Sequence, residues 1–276
     1  MLELLCPLCQ TPLTTLSPTW HCQRGHTFDV AREGYVNLLP VQHRRSLHPG
    51  DDDAALQARR RFLDGGHYEP LRLALQDMVA SCQGANWLDV GCGEGYYTAT
   101  LHAEGRQIYG IDIAKTAVRM AAKRHPNIHW LVASAARLPC AAQTLDAVCS
   151  LFAPIAQAEL CRVLKSGAYL IHATPAEQHL QQLRAALFAE VHPHQPQRHL
   201  QALQKGFHLE HTLCVEAELD LHADALADLI TMTPYAWAAS AERRAELLAR
   251  ARLRTQMQVQ LSLLRRLETD ATPRSN

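Results

Sequence analysis

The stretch WLDVGCGEGYYT, residues 87–98, constrains the fold more than any other part of the chain. A short apolar run passes through Asp89, three glycines follow at alternate positions (Gly91, Gly93, Gly95), and an aromatic-polar run takes over. Glycine tolerates positive φ and lets the backbone approach a ligand closely. The stretch therefore reads as a strand turning into a helix around a binding loop. Its spacing is G-x-G-x-G, not the G-x-G-x-x-G of dinucleotide binders. The next apolar run, QIYGID, ends in Asp112, nineteen residues after Gly93. A carboxylate there can accept both ribose hydroxyls of an adenosine ligand. Asp89 and Glu94 make the pocket negative, which repels a pyrophosphate and suits a cationic sulfonium bearing an amino group. The implied ligand is S-adenosylmethionine.

Around this loop, strand and helix patterns alternate from residue 85 onward. NWLDV, QIYGID, IHWLVA, LDAVCSLF and GAYLIHA read as strands. Gly95–Ala103, Lys115–Arg124 and Ile155–Leu164 read as helices. Such alternation predicts right-handed crossovers onto a parallel sheet covered on both faces. The end of the chain changes period. Leu209, His211, Leu213, Val215, Ala217 and Leu219 alternate with mostly polar residues, and so do Met257, Val259, Leu261 and Leu263. Period two predicts half-buried strands, an antiparallel pair at one edge. ADALADLITMTP and SAERRAELLARAR between them read as helical. Upstream, Asp51 to Asp53 suit the N-terminus of a helix from Ala54 to about Leu63, ended by Gly65 and Gly66. Pro70 opens a second helix reaching about Ala80.

The first forty residues obey a different logic. They are too few for an independent core, and they carry Cys6, Cys9, Cys22 and His26 in the spacing C-x2-C-x12-C-x3-H. Two ligands from each of two turns can complete the tetrahedron of structural zinc, leaving no open position for a water. One structural zinc per chain is expected. His21 is the rival nitrogen ligand, but it adjoins Cys22, where joint coordination is strained. The organisation is thus a zinc-binding module over 1–40, a connector with helices over 41–84, and a cofactor-binding domain over 85–276. Formal net charge is zero, so overall charge makes no case for nucleic acid. The start MLELLCPLC has neither a basic region nor a long apolar run, and no segment approaches a membrane span. Nine cysteines, six without pattern, fit a reducing cytoplasm.

The glycine-loop region resembles the class I methyltransferase fold, a Rossmann-like, mostly parallel sheet of seven strands. Across nearly the whole chain the order CPLC, C-x3-H-x-FD, EGYVNLLPVQH, PGD, QARRxFLDxGHYxPL, LDxGCGEGYYT and ATPxxxHL resembles the RlmA family. These are bacterial 23S rRNA guanine-N1 methyltransferases acting on hairpin 35. The resemblance implies zinc on Cys6, Cys9, Cys22 and His26, and cofactor contacts at Tyr68, Gly93, Glu94 and His179, beside the loop residues Gly91 and Asp112. It implies a homodimer whose zinc modules help grip RNA. The branch most similar to this sequence acts at guanine 745; a sister branch acts at 748.

Guanine N1 carries a proton that must leave as the methyl arrives. Enzymes acting on exocyclic amines usually end the fourth strand in Asn or Asp before Pro-Pro and an aromatic. Here it ends LFAP, with Phe152 and Pro154 but no amide or carboxylate, which favours a ring nitrogen. No residue identifies itself as the base; His192 and His194 read as solvated loop residues. Arg44 and Arg45 follow the zinc module and suit RNA phosphates. Arg59 to Arg61 read as structural. Tyr35 either helps pack the module onto the larger domain or offers a ring to a base. The competing readings are a small-molecule methyltransferase, and an RNA-binding or assembly protein that holds S-adenosylmethionine without turning it over.

Overall fold

The computed structural model describes residues 2–15, 18–43 and 50–268. Three short strands, β1 (Leu13–Thr14), β2 (Thr19–Cys22) and β3 (Thr27–Asp29), form an antiparallel sheet around the cysteine turns. β4 (Tyr35–Asn37) then leaves that sheet. Two helices follow, α1 (Asp53–Asp64) and α2 (Glu69–Ala80). The Asp52 side chain caps α1 by accepting from Ala55 N at 2.8 Å, and Pro70 lies in the first turn of α2. The alternating region gives β5 (Asn86–Val90), β6 (Gln107–Asp112), α3 (Lys115–Arg124), β7 (His129–Val132), β8 (Leu145–Leu151), α4 (Gln157–Val163) and β9 (Leu164–Pro175). After α5 (Gln181–Leu187) and α6 (Pro196–Leu203) comes β10 (Phe207–His222). Then come α7 (Ala223–Met232), α8 (Tyr235–Ala238), α9 (Ala241–Ala249) and β11 (Arg252–Arg266).

The main sheet runs β10-β11-β9-β8-β5-β6-β7-β4. Its six strands from β9 to β4 are mutually parallel, and β11 is antiparallel to both β9 and β10. The antiparallel edge pair read from period two is present, extended over fifteen paired positions with one irregularity at Leu209/His211. The sheet has eight strands, one more than the seven expected. The extra strand is β4, from the N-terminal forty residues, and it pairs Tyr35 with Trp130 and Val36 with Leu131. Tyr35 is only 5% exposed, so it packs the N-terminal region into the fold and cannot stack a base.

A second departure follows the glycine loop. The helix expected over Gly95–Ala103 is a single 3-10 turn, Thr98–Leu101. Tyr96, Tyr97, Thr98 and Thr100 are weak helix formers. Their side chains also bond elsewhere, Thr98 Oγ1 to Asp89 at 2.5 Å and Thr100 Oγ1 back to the Tyr97 carbonyl at 2.7 Å.

Two apolar layers sandwich the sheet. One takes buried residues from α1, α2, α3, α5, α7 and α9, including Phe62, Leu71, Val118, Leu183, Leu226 and Leu247. The other takes Leu160 and Val163 of α4 and Leu200 and Leu203 of α6, together with Leu4, Cys6, Trp20 and Cys22 of the zinc module. The module thus covers part of the back of the sheet. A bridge between Leu4 and Cys140 ties it down, with Leu5 N donating to the Pro139 carbonyl at 2.9 Å. Close packing also fixes Gly110: a Cβ there would lie 2.3 Å from the buried Trp130 ring.

The three arginines of α1 are structural, as read. Arg59 pairs with Asp51 at 2.6 Å, Arg60 with Asp64 at 3.6 Å, and Arg61 with Asp228 of α7 at 2.6 Å. No helix among the described residues is long and apolar enough to cross a membrane.

Candidate cofactor cleft and metal centre

Two turns build the metal centre. In the first, Gln10 N bonds the Cys6 carbonyl at 2.8 Å and Cys6 N bonds the Thr11 carbonyl at 2.9 Å, bringing Cys6 and Cys9 together. In the second, Gly25 takes φ +81° and donates to the Cys22 carbonyl at 2.9 Å, folding His26 back toward Cys22. The four ligand atoms all lie within 4.8 Å of one another. Cys9 and Cys22 sulfurs are 3.6 Å apart, and His26 Nδ1 is 3.5 Å from Cys6 and 3.4 Å from Cys22. Zinc–sulfur bonds of about 2.3 Å and zinc–nitrogen bonds of about 2.0 Å at tetrahedral angles require ligand separations of about 3.5–3.8 Å. The donor set therefore fits one zinc ion with every position filled. The Thr11 side chain, 3.1 Å from the Cys9 sulfur, lowers that thiol to about 7, towards the thiolate that zinc takes. His21 is exposed on β2 and outside the group.

The cofactor cleft forms at the carboxyl ends of β5 and β6. Gly91, Gly93 and Gly95 all take positive φ, at 75°, 55° and 88°. Their surroundings differ. A Cβ on Gly91 would lie 2.3 Å from Ala153, and one on Gly95 would lie 2.7 Å from Trp130. Among the described residues, a Cβ on Gly93 would meet no atom within 4 Å. Gly93 is the glycine that faces open space. Its N–H donates to Asp112 Oδ2 at 3.0 Å, and Asp112 Oδ1 accepts from Ala114 N at 2.8 Å. Strand β6 thus holds its terminal carboxylate against the loop of β5. Burial raises Asp112, and burial followed by the nearby Asp112 charge raises Asp89 to about 7. Glu94 is also buried and raised, opposed by Arg124, whose Nη1 lies 3.6 Å away.

A second group of side chains gathers around His179. Tyr68, at the start of α2, has its hydroxyl 3.4 Å from His179 Nε2, in the turn after β9. His179 Nδ1 accepts from Gln258 N at 3.2 Å. Since Nδ1 accepts, the neutral ring carries its proton on Nε2 and presents it to Tyr68. Burial pushes His179 down to about 3, so the ring stays neutral. Tyr97 lies within electrostatic range of both Tyr68 and Glu94, joining this group to the glycine loop.

The sequence reading did not foresee the rest of this group. Phe152 takes φ +58°, and its half-exposed ring lies 6.3 Å from that of His179. His194 also sits beside His179, with ring centroids 6.2 Å apart, and its Nε2 is 3.1 Å from the Tyr235 hydroxyl. His194 is therefore not the solvated residue expected, whereas His192 is exposed. One His among several in a Pro-containing run carries no local signal for such a partner. Tyr235, forty-one residues further on, could be found only from the fold. Arg44 and Arg45 lie outside the described residues.

Residues 4–47 match the RlmA N-terminal zinc-ribbon family, and residues 88–168 match a general methyltransferase domain. The chain is 35% identical to the 23S rRNA (guanine(748)-N(1))-methyltransferase of Streptomyces fradiae over 242 residues, covering 85% of each protein. The chain belongs to the RlmA family. A Bacillus subtilis (strain 168) protein whose name proposes 23S rRNA guanine-N1 methyl transfer is 31% identical, over 86% of this chain and 88% of its own length. The crystal structure of YcgJ from Bacillus subtilis superposes with a TM-score of 0.50 at 16% identity, covering 74% of this chain and all of YcgJ. That likeness shows the methyltransferase-type α/β fold alone. The RlmA match ends at residue 47, beyond the four ligands and β4.

Proposed function

We propose that this RlmA-family chain transfers a methyl group from S-adenosylmethionine to N1 of a guanine in hairpin 35 of 23S rRNA, of the guanine 745 type. The observation that carries the reading is an RlmA-type zinc knuckle packed, through a shared apolar layer, on the sheet that carries the Gly93–Asp112 cradle. When bound, the cofactor supplies an electrophilic methyl on a sulfonium. Asp112 and the Gly93 backbone hold the adenosine end, with Gly91 keeping the loop against Ala153. Glu94, Tyr68 and His179 line the remainder, and their buried polar atoms orient the donor. His179 is a poor candidate for taking the guanine proton, because its accepting nitrogen is occupied by Gln258 N–H. The main work of the cleft is alignment of donor and acceptor.

The zinc module, with Arg44 and Arg45 just beyond β4, grips RNA in a cytoplasmic homodimer. Guanine 748 is the second reading, favoured by the activity that the Streptomyces fradiae relative's name states. Purified protein with methyl-labelled S-adenosylmethionine should label unmodified 23S rRNA, and acid hydrolysis should release the label as 1-methylguanine. Label recovered on another base, or only on small molecules from a cell extract, would overturn the proposal.

A further inference from the structure

An open cleft of about 470 Å3 lies between α4 and α6, in the same apolar layer as the zinc module. That volume is in the range of small-ligand sites, roughly 300–1,000 Å3. Its lining includes Gln157, His172, Gln195, Arg198 and His199. His172 forms the floor, in β9, and is 3% exposed. Its Nδ1 is 3.0 Å from the Ser150 carbonyl. A carbonyl only accepts, so Nδ1 holds the proton. Burial holds the ring down to about 4, hence neutral near pH 7. A neutral ring protonated on Nδ1 has a lone pair on Nε2, and no described residue hydrogen-bonds that buried atom. The Ser150 hydroxyl, opposite His172 in the strand register, is likewise buried without a hydrogen-bond partner. A buried acceptor left this way is unfavourable, and a donor from a ligand would relieve it.

The lip has the opposite character. Arg198 and His199 are exposed on α6, and among the described residues no carboxylate lines the cleft. Arg198 Nη1 bonds Gln195 Oε1 at 3.2 Å. A free anion suits the lip but not the accepting floor, and a wholly apolar ligand would meet the wall of Ile155, Ala202 and Leu203 but leave both polar ends unmet. Among the described residues no third metal-ligating side chain joins His172 and His199. What fits is a donor joined to an anion, the chemistry of a nucleotide.

The cleft also shares a loop with the cofactor site. Residues 152–156 follow β8; Ile155 lines the cleft, while Ala153 packs against Gly91 and Phe152 faces His179. We propose that this cleft holds a nucleotide of the RNA flanking the target guanine, with a sugar hydroxyl or base amine donating to His172 Nε2 and phosphate at Arg198 and His199. The inference rests on the RNA methyltransferase reading for the source of the nucleotide, though not for the chemistry of the cleft.

The test uses the full chain labelled with nitrogen-15 at histidine, zinc bound. The probes are the four ribonucleoside 5′-monophosphates, their 2′-deoxy forms, inorganic phosphate and an unmodified hairpin 35 transcript. The His172 Nε2 resonance should move with the ribonucleotides and the hairpin and stay in place with phosphate. Arg198→Ala, an exposed change that spares the fold, should weaken hairpin binding about fivefold or more, with Arg198→Lys restoring part of it. S-adenosylhomocysteine affinity should be unaltered in both variants. A silent His172, or Arg198→Ala with full hairpin affinity, would overturn the inference. So would a response to mononucleotides without one to the hairpin, which marks a free-nucleotide site. RNA methylation with a silent His172 removes the cleft alone. A response to the hairpin without methylation removes the proposed activity and leaves the cleft standing.

Discussion

The metal centre and the cofactor cleft are assembled in contrasting ways. Four metal ligands come from one stretch of twenty-one residues, and two hydrogen-bonded turns suffice to bring them together. The proposed cleft would draw Tyr68, Gly93, Asp112, His179 and the Gln258 backbone from α2, β5, β6, β9 and β11, or the turns beside them. The first site is local and takes its stability from the ion. The second is global and takes its geometry from sheet order. A defect in the ion site should therefore be large but confined, whereas a defect in the cleft should be modest in stability and severe in binding.

Zinc removal gives the largest expected effect. Structural zinc contributes on the order of 10 kcal/mol to such modules. Stripping the ion with a chelator, or Cys6→Ser, should unfold residues 2–30 by hydrogen exchange. Protection should persist in β5, β6 and β8, with S-adenosylhomocysteine still bound. Global loss of protection would break the contrast, because it would make the shared apolar layer, Leu4 against Cys140 included, the main support of the sheet.

Gly93→Val should do the reverse. The backbone there is at φ +55°, and the added side chain enters space that no described residue fills. Cofactor affinity should fall about 100-fold, near 2.7 kcal/mol, with one zinc per chain retained. Calorimetry showing wild-type affinity would remove Gly93 from the cofactor site.

The smallest effect is a pH dependence. Burial is the largest cause of the low values of His179, His194 and His172, about 3, about 4 and about 4 against an ordinary 6.5. Depressed groups of this kind contribute stability that is full above 6.5 and is lost as pH falls towards 4 and then 3. Asp89, raised to about 7, contributes in the opposite sense, fully below about 3.8 and lost as pH rises through 7. Melting temperature should thus fall between pH 6.5 and 4, and His172→Gln should make that fall shallower. An equal slope in the variant would show that His172 does not change its proton affinity on folding.

Much of this was legible beforehand, for local reasons. The ligand spacing fixed the knuckle because both turns are short. The placement of the Gly93 loop beside Asp112 followed from adjacent parallel strands with glycine at the crossover, though the hydrogen bond between them did not. Period two exposed β10 and β11 because one face of that pair is wet. What escaped depended on long-range register or on competition. Tyr35–Asn37 is too short to declare itself, and pairing with Trp130, Leu131 and Val132 across the ladder makes it a strand. The lost helix after Gly95 reflects Thr98 bonding Asp89. His194 with Tyr235, and His172 over Ser150, are pairings that no spacing encodes.

The central claim is that a zinc knuckle and a glycine-loop cleft in one chain serve methylation of one guanine. Reverse transcription across hairpin 35 tests it most directly, because a methyl on N1 blocks the Watson–Crick edge. Unmodified 23S rRNA treated with the protein and S-adenosylmethionine should give one new strong stop, next to guanine 745. The stop should vanish when Gly93→Val replaces the wild type. A stop beside 748 would move this chain to the sister specificity. Full methyl incorporation with no stop anywhere in the hairpin would contradict the account.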